Sequence, residues 1–269
     1  MLESPTLFDT ADYVVMESTY GGVAHETEEQ AAQSLAQIIN DTIKAGGNVV
    51  IPSFALERAQ NVLYYINRFL LAHQIPNLLV FLDSPMAVDI TAVFKNHPEF
   101  LNQNIREMIA NGRSPFEFPE LTLVTSAEQS KAINNIKGSS IIIAGSGMAT
   151  GGRIKHHLVN NITRPESSIV FVGYQAMNML GRQIVDGAKE VRILGQHYPV
   201  RARIVKLDGF SAHADSDELL KWLSAFKQPP QRLFIAHSEP DTAQQFARLV
   251  AQKLGWQAVI PTYKEQYVL

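Results

Sequence analysis

Two histidines in the C-terminal part of the chain have the surroundings that a metal or acid–base site needs. His213 lies in the string Phe-Ser-Ala-His-Ala-Asp, and His237 follows the apolar run Leu-Phe-Ile-Ala. A single histidine after a strand is more often a core or turn residue than a ligand, but small residues and acids flank both of these. Glu17 ends another apolar run, where a carboxylate partly removed from water needs a partner such as a histidine. The three side chains are therefore candidates for metal binding or proton transfer.

The rest of the chain contains no familiar sequence motif that would supply the remaining ligands of a metal site. There is no cysteine, no His-x-His pair and no His-Glu-x-x-His string. A zinc site takes three or four protein ligands, so the two histidines depend on further His, Asp or Glu donors. The lack of cysteine also fits a reducing compartment, and it excludes thiolate catalysis.

A glycine-rich segment, residues 145–152, follows an apolar run and precedes a helical pattern. Glycines let backbone amides approach a phosphate, and the helix would offer the anion its positive N-terminal end. The spacing is not a dinucleotide fingerprint, because Thr150 stands where the last glycine is required, and no Gly-Lys-Ser/Thr follows to make a P-loop. A phosphate contact and a tight structural turn both remain open on spacing alone.

Composition indicates a globular protein without a membrane span. The chain has 269 residues and a formal net charge of -3, which argues against a broadly basic surface that coats nucleic acid. Its apolar runs fall far short of the roughly 20 residues that a transmembrane helix needs. No basic region followed by an apolar one marks a secretory signal, so we expect a cytoplasmic location.

Strand-length apolar runs alternate with amphipathic helical stretches, which predicts an α/β fold with a mostly parallel sheet flanked by helices. Polar loops follow several strands, at the sheet edge where ligands gather in such folds. The predicted strands span 13–16, 48–51, 78–82, 140–144, 168–173, 191–194, 201–207, 232–236 and 257–260. The predicted helices span 27–44, 56–71, 86–96, 126–136, 152–161, 215–226 and 241–254. Residues 98–121 interrupt this alternation, and we expect them to form a small excursion or a mobile edge. We expect His156 and His157 on the surface of a helix.

Several strings, taken in order, resemble those of the β-CASP family of metallo-β-lactamase-fold RNA-processing nucleases, which includes the endonuclease subunit of the pre-mRNA 3′-end cleavage machinery. Glu17 in Met-Glu-Ser-Thr-Tyr-Gly resembles the acid of motif A, His213 the histidine of motif B, and His237 the histidine of motif C. Ser238 departs from the glycine that is usual after motif C. Further similar strings are Pro-Ser-Phe-Ala from Pro52, Asp-Ser-Pro-Met from Asp83, Ser-Gly-Met from Ser146, Thr-Gly-Gly-Arg from Thr150 and Gly-Tyr-Gln from Gly173.

The resemblance implies a domain layout and a chemistry. Residues 23–200 would form a β-CASP domain inserted into an incomplete αββα metallo-β-lactamase core, to which residues 1–22 and 201–269 would belong. The family is a zinc-dependent hydrolase of RNA phosphodiester bonds, in which two zinc ions activate a water. By analogy, His237 is a zinc ligand, His213 the acid–base residue, and Glu17 the residue that holds His213.

Phosphate chemistry adds a second group of candidates, which we expect to contact the RNA backbone. These substrate-binding candidates are Ser53, Arg58, Ser146, Gly147 and Arg153.

The family's His-x-His-x-Asp-His ligand run belongs upstream of motif A, and this chain starts a few residues before that motif. We therefore expect it to be the C-terminal portion of a β-CASP nuclease, inactive and without stoichiometric zinc unless the missing N-terminal ligands are supplied. The alternative is a non-catalytic module that binds RNA or a partner protein, and an aminohydrolase or nucleotide-binding enzyme is a more distant one. Expected partners are RNA, the missing half or a homologous subunit, and a second copy of the chain, because an incomplete core exposes apolar surface and a sheet edge.

Overall fold

The computed structural model describes residues 1–269, and strands and helices alternate along the whole chain. The strands are β1 (Tyr13–Glu17), β2 (Val49–Pro52), β3 (Leu79–Asp83), β4 (Leu121–Leu123), β5 (Ser140–Ala144), β6 (Ser168–Phe171), β7 (Glu190–Ile193), β8 (Gln196–Pro199), β9 (Arg203–Lys206), β10 (Arg232–Ala236) and β11 (Ala258–Val259). The helices are α1 (Glu28–Lys44), α2 (Arg58–Leu71), α3 (Pro85–Asn96), α4 (Gln103–Ala110), α5 (Ala127–Ile133), α6 (Ile154–Asn161), α7 (Leu180–Val185), α8 (Ser216–Leu223) and α9 (Pro240–Leu254). No helix combines the length and the apolarity that crossing a bilayer demands.

The chain forms two compact units, each assembled from separate stretches. The first unit comprises Met1–Glu3 and Glu26–Ala212, and the second comprises Ser4–His25 and His213–Leu269. The first unit continues past residue 200 because β9 pairs in parallel with β6.

The first unit is built on a six-stranded sheet in the order β4-β3-β5-β2-β6-β9, in which every pairing is parallel. Its central strands β2, β5 and β6 are buried at every position. Parallel strands covered on both faces read as continuous apolar runs, as in Ile141 to Ile143. Separate apolar clusters fill the two faces: α1 and α2 pack on one, and α6 packs on the other. The α/β class with a parallel, helix-flanked sheet is thereby confirmed.

Three parts of the first unit differ from the sequence-based expectation. Residues 98–121 contain α4 and carry Leu101, Ile105 and Phe116, each 1% exposed, so this excursion is packed around a small core of its own. The short helix α7 was not predicted. Neither was β8, which pairs antiparallel with β7 to make a hairpin where the sequence indicated one strand and a turn.

The second unit is a three-stranded parallel sheet in the order β1-β10-β11, packed against α8 and α9. Burial alternates along β1: Val14 and Met16 face the core, whereas Val15 is 74% exposed. The helix α9 begins with a proline in its first turn, where no backbone donor is lost, and ends at Gly255 in the left-handed region with φ 72°.

Candidate functional site

The pairing of β1 with β10 brings two of the candidate residues together. The strands run parallel with Glu17 opposite Ala236, so His237 follows directly beside the end of β1. The carboxyl ends of parallel strands meet at one edge of a sheet, which is the usual place for a ligand site in such folds. His213 reaches the same edge from the turn that precedes α8, and all three residues belong to the second unit.

Glu17 and His213 form a partly buried hydrogen-bonded pair. The Glu17 Oε2 atom lies 3.2 Å from His213 Nδ1 and accepts a 2.8 Å hydrogen bond from the Thr19 backbone N–H. Burial alone would raise the pKa of the Glu17 carboxyl, but the hydrogen bonds from His213 and Thr19 outweigh it and lower the pKa to about 2. Glu17 is therefore an ionised acceptor whose oxygen is already engaged by two donors.

The Thr19 hydroxyl lies between the two histidines. Its Oγ1 is 3.3 Å from His213 Nδ1, 3.1 Å from His237 Nδ1 and 3.0 Å from the His237 carbonyl oxygen, to which it donates. The two imidazole rings are stacked, with centroids 5.3 Å apart and planes 29° apart. Sequence reasoning missed Thr19, although a hydroxyl two residues after a strand-end acid is a usable signal for such a contact.

The backbone at His237 has an uncommon conformation. His237 has φ 53°, in the left-handed region that residues other than glycine seldom adopt. The Ser18 hydroxyl donates to Ser238 Oγ at 2.8 Å and ties the turn after β10 to the end of β1. Strained residues cluster at functional sites because the surrounding contacts must hold them in place.

Asp215, two residues after His213, is the N-cap of α8. The Asp215 carboxylate accepts from the backbone N–H groups of Asp217 and Glu218 at 2.9 Å each, and from that of His25 at 2.9 Å. One acid thus caps the helix and also joins the segment after Glu17 to the segment after His213.

The donor chemistry of this cluster fits zinc. One ligand atom from each of Glu17, His213 and His237 lies within 4.8 Å of the others, and imidazole and carboxylate are ordinary zinc ligands. Since Glu17 and His213 bond to each other, His237 is the residue best placed to give a lone pair to a metal.

The substrate-binding candidates all lie in the first unit, near the carboxyl ends of its strands. Ser53 and Arg58 are 2% and 3% exposed, so both are core residues at the end of β2 and the start of α2. Ser146 closes the glycine loop by accepting from the backbone N–H groups of Thr150 and Gly151, at 3.0 and 3.3 Å. Gly147 packs under Phe54, because a Cβ at Gly147 would lie 2.5 Å from the ring. Their roles toward RNA stay predictions.

Arg153 belongs to a buried polar cluster around Asp83. Its Nη1 donates to Asp83 Oδ1 at 2.6 Å, and its two terminal nitrogens also donate to the carbonyls of Val124 and Thr125. His157 Nε2 lies 2.6 Å from Asp83 Oδ2, and His157 is 0% exposed. The expectation of a surface position was therefore wrong for His157, whose ring turns inward to the carboxylate that ends β3. Any phosphate contact by Arg153 would have to use its remaining N–H groups.

Comparisons with known proteins agree with the strings noted in the sequence. The Beta-Casp domain profile matches residues 59–184, and the profile of the Zn-dependent metallo-hydrolase RNA specificity domain matches residues 197–261. The second match covers β8, β9 and most of the second unit from His213 onward.

Similar proteins include a bacterial ribonuclease and archaeal factors. Ribonuclease TTHA0252 of Thermus thermophilus is 37% identical over 251 residues, which cover 93% of this chain and 57% of the relative. The transcription termination factor FttA of Pyrococcus horikoshii is 33% identical over 256 residues, covering 92% and 39%. An RNase J-like protein of Methanocaldococcus jannaschii is 31% identical over 268 residues, covering 98% and 59%. The chain spans about half the length of the curated relatives it matches.

These matches confirm the resemblance read from the motifs. The two domain profiles lie in order along the chain, and the relatives align over more than nine tenths of it. The chain belongs to the β-CASP family of metallo-β-lactamase-fold proteins.

Proposed function

We propose that this chain carries the acid–base pair and one zinc ligand of an RNA phosphodiester hydrolase. The observation that carries the proposal is the convergence of Glu17, His213 and His237 at the ends of two paired strands. Residues 197–261 match the profile of the Zn-dependent metallo-hydrolase RNA specificity domain, and this match supports RNA as the substrate. In this assignment the β-CASP domain, expected over residues 23–200, extends to Ala212 because β9 belongs to its sheet, and residues 1–22 and 213–269 belong to the metallo-β-lactamase core.

Hydrolysis requires that a water oxygen forms a bond to phosphorus while the bond to the leaving oxygen breaks. The attacking water loses a proton to solvent, and the leaving oxygen must gain one. A protonated His213 supplies it from Nε2, because Nδ1 is directed to Glu17. The Glu17 carboxylate accepts a hydrogen bond at Nδ1 and fixes the ring in place. Zinc held in part by His237 would activate the attacking water and stabilise the charge on the phosphate.

The number of available zinc ligands limits the metal binding and the catalysis of the chain by itself. A catalytic zinc site has three protein ligands and an open position, whereas Glu17 and His213 are engaged with each other. We infer that stoichiometric zinc binding and cleavage require additional ligands of the His-x-His-x-Asp-His type that the family resemblance implies. The same observation favours a second candidate function, a module that binds RNA or a partner protein without cleaving RNA.

In this proposal the first unit contacts the RNA backbone. Ser146 and Gly147 lie in the glycine loop that precedes α6, where backbone N–H groups can meet a phosphate. Ser53 and Arg58 support that edge from within the core, since both are almost fully buried. RNA binding by this route would weaken as the salt concentration rises.

Zinc content and RNA binding of the full chain test the proposal. After dialysis against zinc, elemental analysis should give substoichiometric metal, and His237→Ala should lower it further. Fluorescence anisotropy should show salt-sensitive binding of single-stranded RNA, which stays uncut. Stoichiometric zinc together with cleavage that His213→Ala abolishes would refute the inferred need for further ligands. Absence of RNA binding at low salt would refute the RNA assignment.

A further inference from the structure

The Thr19 hydroxyl has one proton to give, and its partners are two ring nitrogens and two oxygens that only accept, those of the Glu17 carboxylate and the His237 carbonyl. Thr19 is 5% exposed, and its Oγ1 is within hydrogen-bonding distance of His213 Nδ1, His237 Nδ1 and the carbonyl oxygen of His237. A hydroxyl donates one hydrogen and accepts through two lone pairs. Once the partner that receives the hydroxyl proton is known, every other partner bonded to Oγ1 must donate to it.

We propose that Thr19 sets the tautomers of His213 and His237, so that Nε2 is the reactive nitrogen of both rings. The carbonyl oxygen of His237, at 3.0 Å, and the Glu17 carboxylate can only accept, so the Thr19 proton points to one of these two oxygens. Both lone pairs of Oγ1 then face ring nitrogens, and each Nδ1 must carry a hydrogen to bond there. Were the proton turned to either Nδ1, neither oxygen would receive it.

A second contact supports the assignment for His213 independently. Glu17 Oε2 lies 3.2 Å from the same Nδ1, and an ionised carboxylate also only accepts. Two acceptors from two residues thus require Nδ1–H on His213. For His237 the Thr19 hydroxyl is the side-chain contact that sets the tautomer.

The consequence differs between the two rings. In His237, Nδ1–H leaves the lone pair on Nε2, the form in which a neutral imidazole binds a metal while its other nitrogen is held by a neighbour. In His213, loss of the Nε2 proton from the protonated ring leaves the Nδ1–H tautomer, so neither Thr19 nor Glu17 has to change its hydrogen bond. Thr19 is therefore a positioning residue, and the metal part of this inference rests on the proposed function.

The tautomers can be observed without metal or activity. The full chain, labelled with 15N at its 8 histidines, is examined by two-bond 1H–15N correlation NMR, metal-free and at a pH where the rings are neutral. His213→Ala and His237→Ala variants assign the two signals. Both rings should show the Nδ1–H pattern. Thr19→Val should move His237 toward the Nε2–H pattern, and Thr19→Ser should restore the wild-type spectrum.

Thr42→Val is the matched control, because Thr42 is 3% exposed and bonded to the Ile38 carbonyl of the first unit. Thr42→Val should leave both tautomers unchanged. If Thr19→Val does not fold, the wild-type and Thr19→Ser spectra still show which nitrogen of each ring carries the hydrogen. An Nε2–H pattern for His237 in the wild type, or no change in Thr19→Val, would overturn the inference. A second readout is zinc competition, in which Thr19→Val should weaken the residual affinity about tenfold relative to Thr19→Ser. The expected tautomers, together with no cleavage of RNA when the further zinc ligands are supplied, would refute the proposed function and leave this inference standing.

Discussion

At the scale of single residues, the candidate site consists of the Glu17 carboxylate bonded to the His213 ring and the Thr19 hydroxyl between the rings of His213 and His237. A carboxylate at the end of an apolar strand predicts a histidine partner, and the structure places His213 Nδ1 at 3.2 Å from Glu17. Thr19 was missed because threonine has no charge to neutralise, and only its place two residues after the acid points to a contact. Its role follows from the turn that places its hydroxyl between two rings. His157 was misjudged because its helical string does not reveal that its ring meets Asp83.

Removing the Asp83 carboxylate should destabilise the first unit strongly. Asp83 accepts from Arg153, His157 and Ser130, at 2.6, 2.6 and 2.5 Å, and it is 0% exposed. Asp83→Ala removes this acceptor from the buried His157 and Ser130 side chains and breaks the ion pair with Arg153, which costs about 3–5 kcal/mol. Urea unfolding measures this loss. Glu29→Ala, which breaks an exposed pair with Arg68, should cost about 0–1 kcal/mol; equal losses would contradict the assigned role of Asp83.

The same carboxyl predicts a dependence of stability on pH. Burial raises the pKa of Asp83, but hydrogen bonds from His157, Ser130 and Arg153 outweigh it and hold the pKa below the ordinary value of 3.8. The Asp83 carboxyl therefore binds a proton more readily in the unfolded state than in the folded state. Its contribution to the free energy of unfolding is complete above about pH 4 and is lost as the pH falls through the lower pKa of the folded state. Acid unfolding of Asp83→Asn should be less steep than that of the wild type below about pH 4. Parallel curves would count against this.

At the scale of elements, long periodic segments were predictable and short ones were not. The helix α1 was expected over 27–44 and found at Glu28–Lys44, with Thr27 as a capping-box N-cap. The strand β10 matches its predicted bounds. The six-residue α7 contains a glycine, and β8 is a mostly exposed strand with a proline at its end. Neither segment carries enough apolar periodicity to be recognised without its tertiary contacts.

The glycine loop before α6 gives a prediction at this scale. Gly152 has φ 74°, and a Cβ there would lie 2.6 Å from the carbonyl oxygen of Gly145. Gly152→Ala should therefore lower the free energy of unfolding by about 1–3 kcal/mol. Gly151→Ala is the adjacent control, because no atom lies within 4 Å of its Cβ position. Thermal unfolding should separate the two variants; equal melting temperatures would show that the loop tolerates a side chain at Gly152.

At the scale of the whole molecule, the second unit has a sheet edge at β1 from which we predict self-association. The strand β1 pairs with β10 on one side only, and Val15 on it is 74% exposed. Edge strands with apolar side chains pair readily with other chains, and lysine there opposes it. Val15→Lys should shift the chain toward monomer in light scattering coupled to size exclusion. Val23→Lys, at a 55% exposed loop position, should not; equal effects would mean that charge alone, and not the edge, controls association.

The central claim is that Glu17, His213 and His237 are the acid–base and metal residues of an RNA hydrolase. It is tested most directly by adding to the full chain a polypeptide that carries the His-x-His-x-Asp-His ligand run, with zinc and labelled single-stranded RNA. Cleavage should appear, and His213→Ala should reduce it about 10²–10⁴-fold. The control is His197→Ala, which removes an exposed histidine paired with Glu190 at 2.9 Å and should cleave normally. Cleavage by His213→Ala at the rate of His197→Ala would contradict the account.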